Sequence, residues 1–560
     1  MVRQNPGGHD GVTTTTSPTS SEMPSELPSE IRSAARGSTL SLLGAAVSAL
    51  GTFALTVVVA HGTTQVEAGI FFATTSLFVI VTSLGQLGTD TGLVYFIARA
   101  VEHDRRHLLQ DYVRVALVPV LGCAVVLGLV LLVGAPEIAR LTNPSAPDEA
   151  ARALRALALL VPFVGLESVL LSATRGLGLM RPYVVTEQIV RPTLQLVAAV
   201  LILASGTAVD LAWSWSLPYL VAGLLAVRWW RRLVPRRTPD GASPGGVPGV
   251  AREFWSFSAP RSLASAAQTA MQRLDIVLVA ALAGPGLAAV YTAATRFVVA
   301  GQLARTAVSL AVQPYFARAL AREGHAGVAP LYRTSTAWLM AVTWPLFWVL
   351  VLDGRPLMRI FGSGYAAGTD VLVLLGIAML IATFCGDVDI LLIMAGRTRA
   401  SMVNILIAFA LNLGLDLWLI PEHGIVGAAI GWSCAIIVKN LLALVQVAWI
   451  LRVHPVGRPT VIVGALATGC FCGSVGLARV VGGDGLGAAV LGIALGTVGY
   501  VVGIYLARVD LALDALGGLV RRRPTRSPAE ARTRHGLPGD GGGYTVSSDD
   551  ESSLARTPPS

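Results

Sequence analysis

From residue 39 to residue 507 the chain is a succession of long, continuously apolar stretches separated by short polar connections. A helix needs about 20 mostly apolar residues to cross a bilayer. Fourteen stretches meet that requirement: 39–60, 68–89, 113–134, 154–174, 184–205, 209–229, 257–281, 288–313, 333–353, 369–394, 401–420, 424–451, 460–479 and 485–507. Unbroken apolarity over these lengths excludes barrel strands, which need only about 9–11 residues of alternating character. The fold class expected is an all-α multi-span membrane protein with about fourteen transmembrane helices. Charged residues make up only 13% of the chain, about half the share of an ordinary soluble domain.

The formal charge of +9 raises the question of nucleic acid, and its distribution answers it. Arginines crowd alternate connections, among them Arg99, Arg105 and Arg106, then Arg175 and Arg181, then Arg228, Arg231, Arg232, Arg236 and Arg237. The pattern continues through Arg318, Arg322, Arg397, Arg399, Arg452 and Arg458 to Arg521–Arg523. The intervening connections at 61–67, 206–208, 281–286 and 421–423 contain no arginine. This positive-inside pattern predicts a multi-pass protein of the cytoplasmic membrane with both termini in the cytoplasm. It gives no reason to expect a nucleic-acid partner.

Segment 1–37 is rich in Thr, Ser, Pro and Glu, and lacks a secretory n-region and cleavage pattern. Segment 508–560 is largely Arg, Pro, Gly and Ser. Both read as disordered cytoplasmic tails, with too little apolar surface to fold. All five cysteines lie in apolar stretches and read as small buried residues. No metal site or cofactor motif is read.

The Pro/Gly-rich segment 231–254 divides the first twelve stretches into six and six. The two sides resemble each other. Gly69–Thr75 (GIFFATT) aligns 220 residues later with Ala289–Thr295 (AVYTAAT), and Tyr95-Phe96 aligns with Tyr315-Phe316 in the same register. Six spans per half is an even number, so the repeats are expected to be parallel, related by an axis along the membrane normal. The expected organisation is a bundle over 38–230, a linker at 231–254, a second bundle over 255–452, and two additional helices at 453–507.

Charges inside spans are costly and are functional candidates by default. Glu187 and Arg191 are four residues apart, on one helical face. Arg273 and Asp275 are two apart and need different partners, which favours a polar cavity. Arg296 follows the repeated block, and Arg305 lies two and a half turns on, on another side. Asp387 and Asp389 interrupt the tenth stretch, and Lys439, the single lysine, interrupts the twelfth. Lys439 and one of these carboxylates are expected either to neutralise each other across helices or to serve the substrate. Asp90 is read near the outer end of the second stretch, among Gly85, Gly88 and Gly92, which permit close approach or local unwinding. Asn404 and Asn412 share a face and can bond across helices. No nucleophile–histidine–acid arrangement, P-loop or large outer domain is found, so the chain is not expected to be an enzyme.

Three blocks resemble a known family: Leu84–Arg99 (LGQLGTDTGLVYFIAR), Asp275–Ala280 with Val290–Arg296, and Asn412–Ile430 (NLGLDLWLIPEHGIVGAAI). The chain is similar to the Wzx-like polysaccharide-exporter and oligosaccharide-flippase branch of the MATE/MOP exporter superfamily, over roughly residues 38–455. The resemblance implies two six-helix bundles plus two helices. It also implies alternating-access movement of a polyprenyl-diphosphate-linked glycan, with membrane lipids and glycan-assembly proteins as further partners. Arginine suits the anionic diphosphate, so Arg273, Arg296, Arg191 and Lys439 are the substrate-binding candidates on physical grounds. Asp90, Glu187, Asp387 and Asp389 are candidates for coupling or gating. The alternatives are a lipid-linked peptidoglycan-precursor flippase, a cation-coupled multidrug exporter and, from another class, a membrane glycan polymerase or ligase.

Overall fold

The computed structural model describes residues 27–202, 207–234, 249–322, 324–483 and 486–511, and every regular element among them is helical. Residues 1–26, the linker positions 235–248 and the tail from 512 lie outside the described residues. The first half contains α1 (Leu27–Gly62), α2 (Gln65–Gly85), α3 (Thr89–Glu102), α4 (Leu109–Thr142), α5 (Pro147–Ala158) and α6 (Val161–Gly176). A four-residue turn, α7 (Met180–Tyr183), leads through a π-helical segment, Val184–Val190, into α8 (Arg191–Ile202), and α9 (Ala208–Leu233) follows. The second half contains α10 (Val250–Leu282), α11 (Pro285–Arg322), α12 (Gly324–Leu352), α13 (Gly354–Met358), α14 (Thr369–Phe384), α15 (Val388–Met394) and α16 (Thr398–Ile450). Then come α17 (Arg458–Gly482) and α18 (Leu486–Leu506), packed on each other and, through α17, on α12.

Eleven of these helices are long and apolar enough to cross a membrane, or twelve when α5 and α6, bent by 41°, count as one span. The charged α10 is not among them. The segment read as a disordered tail is helical from Leu27 onward.

Breaks in the helices follow from identifiable residues. Between α2 and α3 the chain turns through Leu87 and Gly88, both left-handed, at φ 51° and 71°. A side chain at Gly88 would meet backbone of α10 at Ser258 and Ser262, so glycine there permits both the turn and the close approach. The helical path therefore resumes as α3 and runs to Glu102. Asp90 lies at the bend, on the side of the arginine-rich connection rather than near the outer end. At Gly386 (φ 70°) the tenth stretch divides into α14 and α15. Asp387 and Asp389 consequently flank a helix start rather than sit mid-helix.

The 53-residue α16 is two helical legs meeting at Gly424 (φ 55°, ψ −131°). The legs fold back on each other. Asn404 and Gln446 exchange two hydrogen bonds at 2.8 and 2.9 Å, 42 residues apart in sequence. A side chain at Gly427 would strike the backbone of Leu419.

The halves meet mainly where α2 packs on α10 and α11 and where α1 packs on α11. At the arginine-poor end this seam is tight: Gly69 lies directly against the Pro285 carbonyl. Just inside, Phe53 of α1 contacts Phe297 and Phe361, each at 5.4 Å between ring centroids. A continuous apolar core runs through this region from Phe71 and Phe72 to Tyr291 and Phe347. Nearer the arginine-rich end, Tyr95 stacks on Phe257 at 4.7 Å, and Arg99 pairs with Glu253 at 2.8 Å, joining α3 to α10. Between these contacts lies a polar cavity.

Candidate functional site: an arginine-lined cavity between the halves

The cavity has a volume of about 490 Å³ and draws its walls from α1, α2, α3, α6, the π segment, α8, α9, α10 and α11. Arg191, Arg273 and Arg296 all line it, as do Asp90 and Glu187. Five of the eight sequence-derived candidates, drawn from both halves, thus share one space.

Local structure explains how Arg191 reaches it. Pro192 has no N–H to donate, and the preceding helix widens to a π turn, in which the Arg191 N–H bonds Thr186 O, five residues back. Such turns re-aim side chains and are frequent at functional sites. The Arg191 guanidinium is held by Glu187 through both nitrogen–oxygen pairs, one at 3.0 Å. Tyr219 OH accepts from it at 3.2 Å, and the same ring lies 4.8 Å beneath it.

Arg273 and Arg296 differ from Arg191 in one respect. Neither has a carboxylate partner among the described residues. Arg296 is 7% exposed and its Nε has no hydrogen-bond partner. Arg273 lies within electrostatic range of both Arg191 and Arg296. These three guanidinium groups therefore share one cavity, and a single carboxylate pairs with them directly. Like charges gathered away from bulk water repel each other. The arrangement is suited to a ligand that brings negative charge and several acceptor oxygens.

The walls supplied by α1 and α2 are rich in hydroxyls. Thr52, Thr56, Thr75 and Thr82 each donate to a carbonyl in their own helix, at 2.7 to 2.9 Å. Their oxygen lone pairs remain to accept from a ligand hydroxyl.

Other candidates lie elsewhere. Lys439 pairs with Asp389 at 2.8 Å with side chains 9% and 17% exposed, and Ser401 donates to the same carboxylate. Asp387 accepts from Arg305 at 3.2 Å and Ser309 at 2.7 Å. None of Lys439, Asp387 and Asp389 lines the arginine cavity. Removing one member of a buried pair strands the other charge, at about 3–5 kcal/mol. Lys439→Met should therefore lower the melting temperature clearly, and a Lys439→Met, Asp389→Asn double variant should recover most of it. Thermal unfolding in detergent measures both.

Sequence reasoning missed two cavity residues. Arg175 was read as part of a polar connection, yet it lines the wall, bonds Ser172 at 2.9 Å and lies 4.7 Å over the Tyr183 ring. Glu167, a single carboxylate inside the fourth apolar stretch, is 3% exposed on the same wall. Its position inside an apolar stretch was the available signal. A third missed group, Asp416, sits beside Asp275, away from this cavity; Tyr291 donates to Asp275 at 2.9 Å and Asn412 to Asp416 at 2.8 Å.

A family model described as "Polysaccharide biosynthesis protein" matches residues 34–320, just over half of the chain. The chain belongs to that family. No curated protein matches it. Among solved structures, it is similar to the lipid II flippase MurJ in an inward closed conformation (TM-score 0.66, 12% identity), over 85% of this chain and 99% of that one. It is also similar to an inward-facing multidrug resistance MATE transporter of the MOP superfamily (TM-score 0.59, 16% identity), over 74% and 98% of the two chains. A MOP transporter from Pyrococcus furiosus, described as having a binding pocket of reverse polarity, matches with TM-score 0.52 and 16% identity over 75% and 95%. At these identities the likeness establishes the fold. The chain is a multi-span membrane protein of the polysaccharide biosynthesis family with the MATE/MOP transporter architecture.

Proposed function

We propose that this protein is a flippase that moves a polyprenyl-diphosphate-linked glycan precursor across the cytoplasmic membrane by alternating access. The observation that carries the reading is the convergence of Arg191, Arg273 and Arg296 on one interhalf cavity with only Glu187 paired directly to them. In this reading the three guanidiniums hold the diphosphate, while the Thr-rich wall accepts hydrogen bonds from sugar hydroxyls. The polyprenyl tail stays in lipid. Lys439 is assigned to packing, and Asp90 and Glu187 remain the coupling or gating candidates, because they line the cavity, whereas Asp387 and Asp389 pair with Arg305 and Lys439 outside it.

The reading includes a topology. Counting the bent α5–α6 pair as one span, the two legs of α16 separately, and α10 as a span despite its charges gives fourteen. Both termini then lie on the arginine-rich, cytoplasmic side. Residues α1–α9 and α10–α16 form two parallel-repeat bundles, with α17 and α18 outside them. The halves are sealed at the arginine-poor end by the Gly69–Pro285 contact and the Phe53–Phe297–Phe361 cluster, and joined at the other by Tyr95–Phe257 and Arg99–Glu253. A membrane-embedded cavity with converging cations and, among the described residues, no nucleophile–base pair supports movement of an intact substrate over glycan polymerisation or ligation.

The name of MurJ and the MATE neighbours frame the comparison that tests this. Purified protein in proteoliposomes should move a lipid-diphosphate glycan between leaflets without changing its mass, and should leave a small cationic drug behind. Coupled movement of the drug with no movement of any glycan lipid would overturn the proposal.

A further inference from the structure

We propose that Glu167 is a proton-binding site whose proton is taken up together with the anionic headgroup. The inference rests on the reading of the cavity as an anion site. Glu167 is 3% exposed, lines the cavity, and has one oxygen, Oε1, with no donor. Its carboxyl group stands beside that of Glu187 on the same cavity wall. Two carboxylates offer each other only acceptors, so this contact is satisfied when one proton lies between them. Glu187 already has its cation, since Arg191 bonds both of its oxygens. Glu167 has none.

The groups acting on Glu167 can be named element by element. The π segment and α8 present Glu187 and Arg191, α7 presents Tyr183, and α9 presents Tyr219. Arg175 follows on α6 itself, Asp90 of α3 lines the same cavity, and α10 and α11 supply Arg273 and Arg296. The wall residues from α1 and α2 are uncharged.

The consequence follows from charge. With the proton present, the Glu167–Glu187 pair carries one negative charge beside Arg191. Without it the pair carries two, and the second offsets part of the attraction that the arginines exert on a diphosphate. Proton and diphosphate therefore favour each other's binding, reciprocally. The proton comes from cavity water, sits on a carboxylate oxygen, and returns to water when the headgroup leaves; no other bond forms or breaks.

The test uses full-length purified protein and inorganic pyrophosphate, with affinity measured across a pH series. Affinity of the native protein should fall with rising pH more steeply than the titration of pyrophosphate explains, by up to about tenfold per pH unit for one linked proton. Glu167→Gln keeps the shape and a donor to Glu187 but does not titrate. It should bind pyrophosphate at the native low-pH affinity, with only the ligand's own pH dependence. Glu167→Asp should retain the steeper native slope. Should Glu167→Gln fail to fold, proton uptake on pyrophosphate binding by the native protein in weak buffer decides the matter: uptake beyond that of the ligand supports the site, and none overturns it. An unchanged slope in Glu167→Gln would also overturn it while leaving the anion site intact. Absence of pyrophosphate binding at every pH would instead remove the anion site, and this inference with it.

Discussion

Arg273→Gln is expected to reduce transport of a lipid-diphosphate glycan by about thirtyfold or more while leaving protein abundance nearly unchanged. Hydrogen bonds to charged groups contribute about 1.5–3 kcal/mol each, and each 1.4 kcal/mol is about tenfold in binding. Arg273 has no carboxylate partner among the described residues, so its removal strands no buried countercharge. Glutamine also relieves repulsion from Arg191 and Arg296, which favours stability in the empty protein. Arg305→Gln is the informative contrast. Arg305 pairs with Asp387 outside the cavity, so that variant should lose stability and keep its apparent affinity for the headgroup. Headgroup-dependent transport and thermal unfolding, measured on both variants, separate the two kinds of arginine. Equal loss of transport per folded molecule would refute the distinction.

The second large effect tests alternating access. A β-carbon placed on Gly286 would lie 3.9 Å from that of Gln65, within the range a disulfide spans. These positions face each other across the sealed, arginine-poor end, one from each half. A Gln65→Cys, Gly286→Cys pair should oxidise readily, lock the halves together and reduce transport to background. Reductant should restore it. Four of the five native cysteines lie within helices and Cys385 in the turn between α14 and α15, so single-cysteine variants serve as controls. Full transport by the oxidised protein would show that this seam does not open during the cycle.

Much of the fold was legible because lipid imposes one rule on every spanning segment: its backbone must be satisfied within helices. Apolar length therefore located the helices, and Gly424, Gly386 and the Leu87–Gly88 turn appear where glycine and short polar insertions interrupt them. Side-chain pairing was legible only locally. Glu187 and Arg191 were readable as neighbours because four residues make one helical turn. Which of Arg296 and Arg305 would face a cavity, and which carboxylate would meet Lys439, depends on how separate helices pack. No periodicity encodes that. Asp90 was misplaced along its span because the apolar run fades at the turn while the helix resumes as α3. Arg175 escaped notice because the last turn of α6 carries it back over the Tyr183 ring into the cavity, although in sequence it adjoins a polar connection.

The central claim is that the arginine cluster reads the diphosphate. It is tested most directly by comparing two lipid-linked glycans with the same sugars and the same polyprenyl tail, one carrying a diphosphate and the other a monophosphate. Leaflet accessibility in proteoliposomes reports each. Removal of one phosphate should abolish most protein-dependent movement, whereas removal of the outermost sugar should cost far less. Equal movement of the diphosphate and monophosphate lipids would contradict the account.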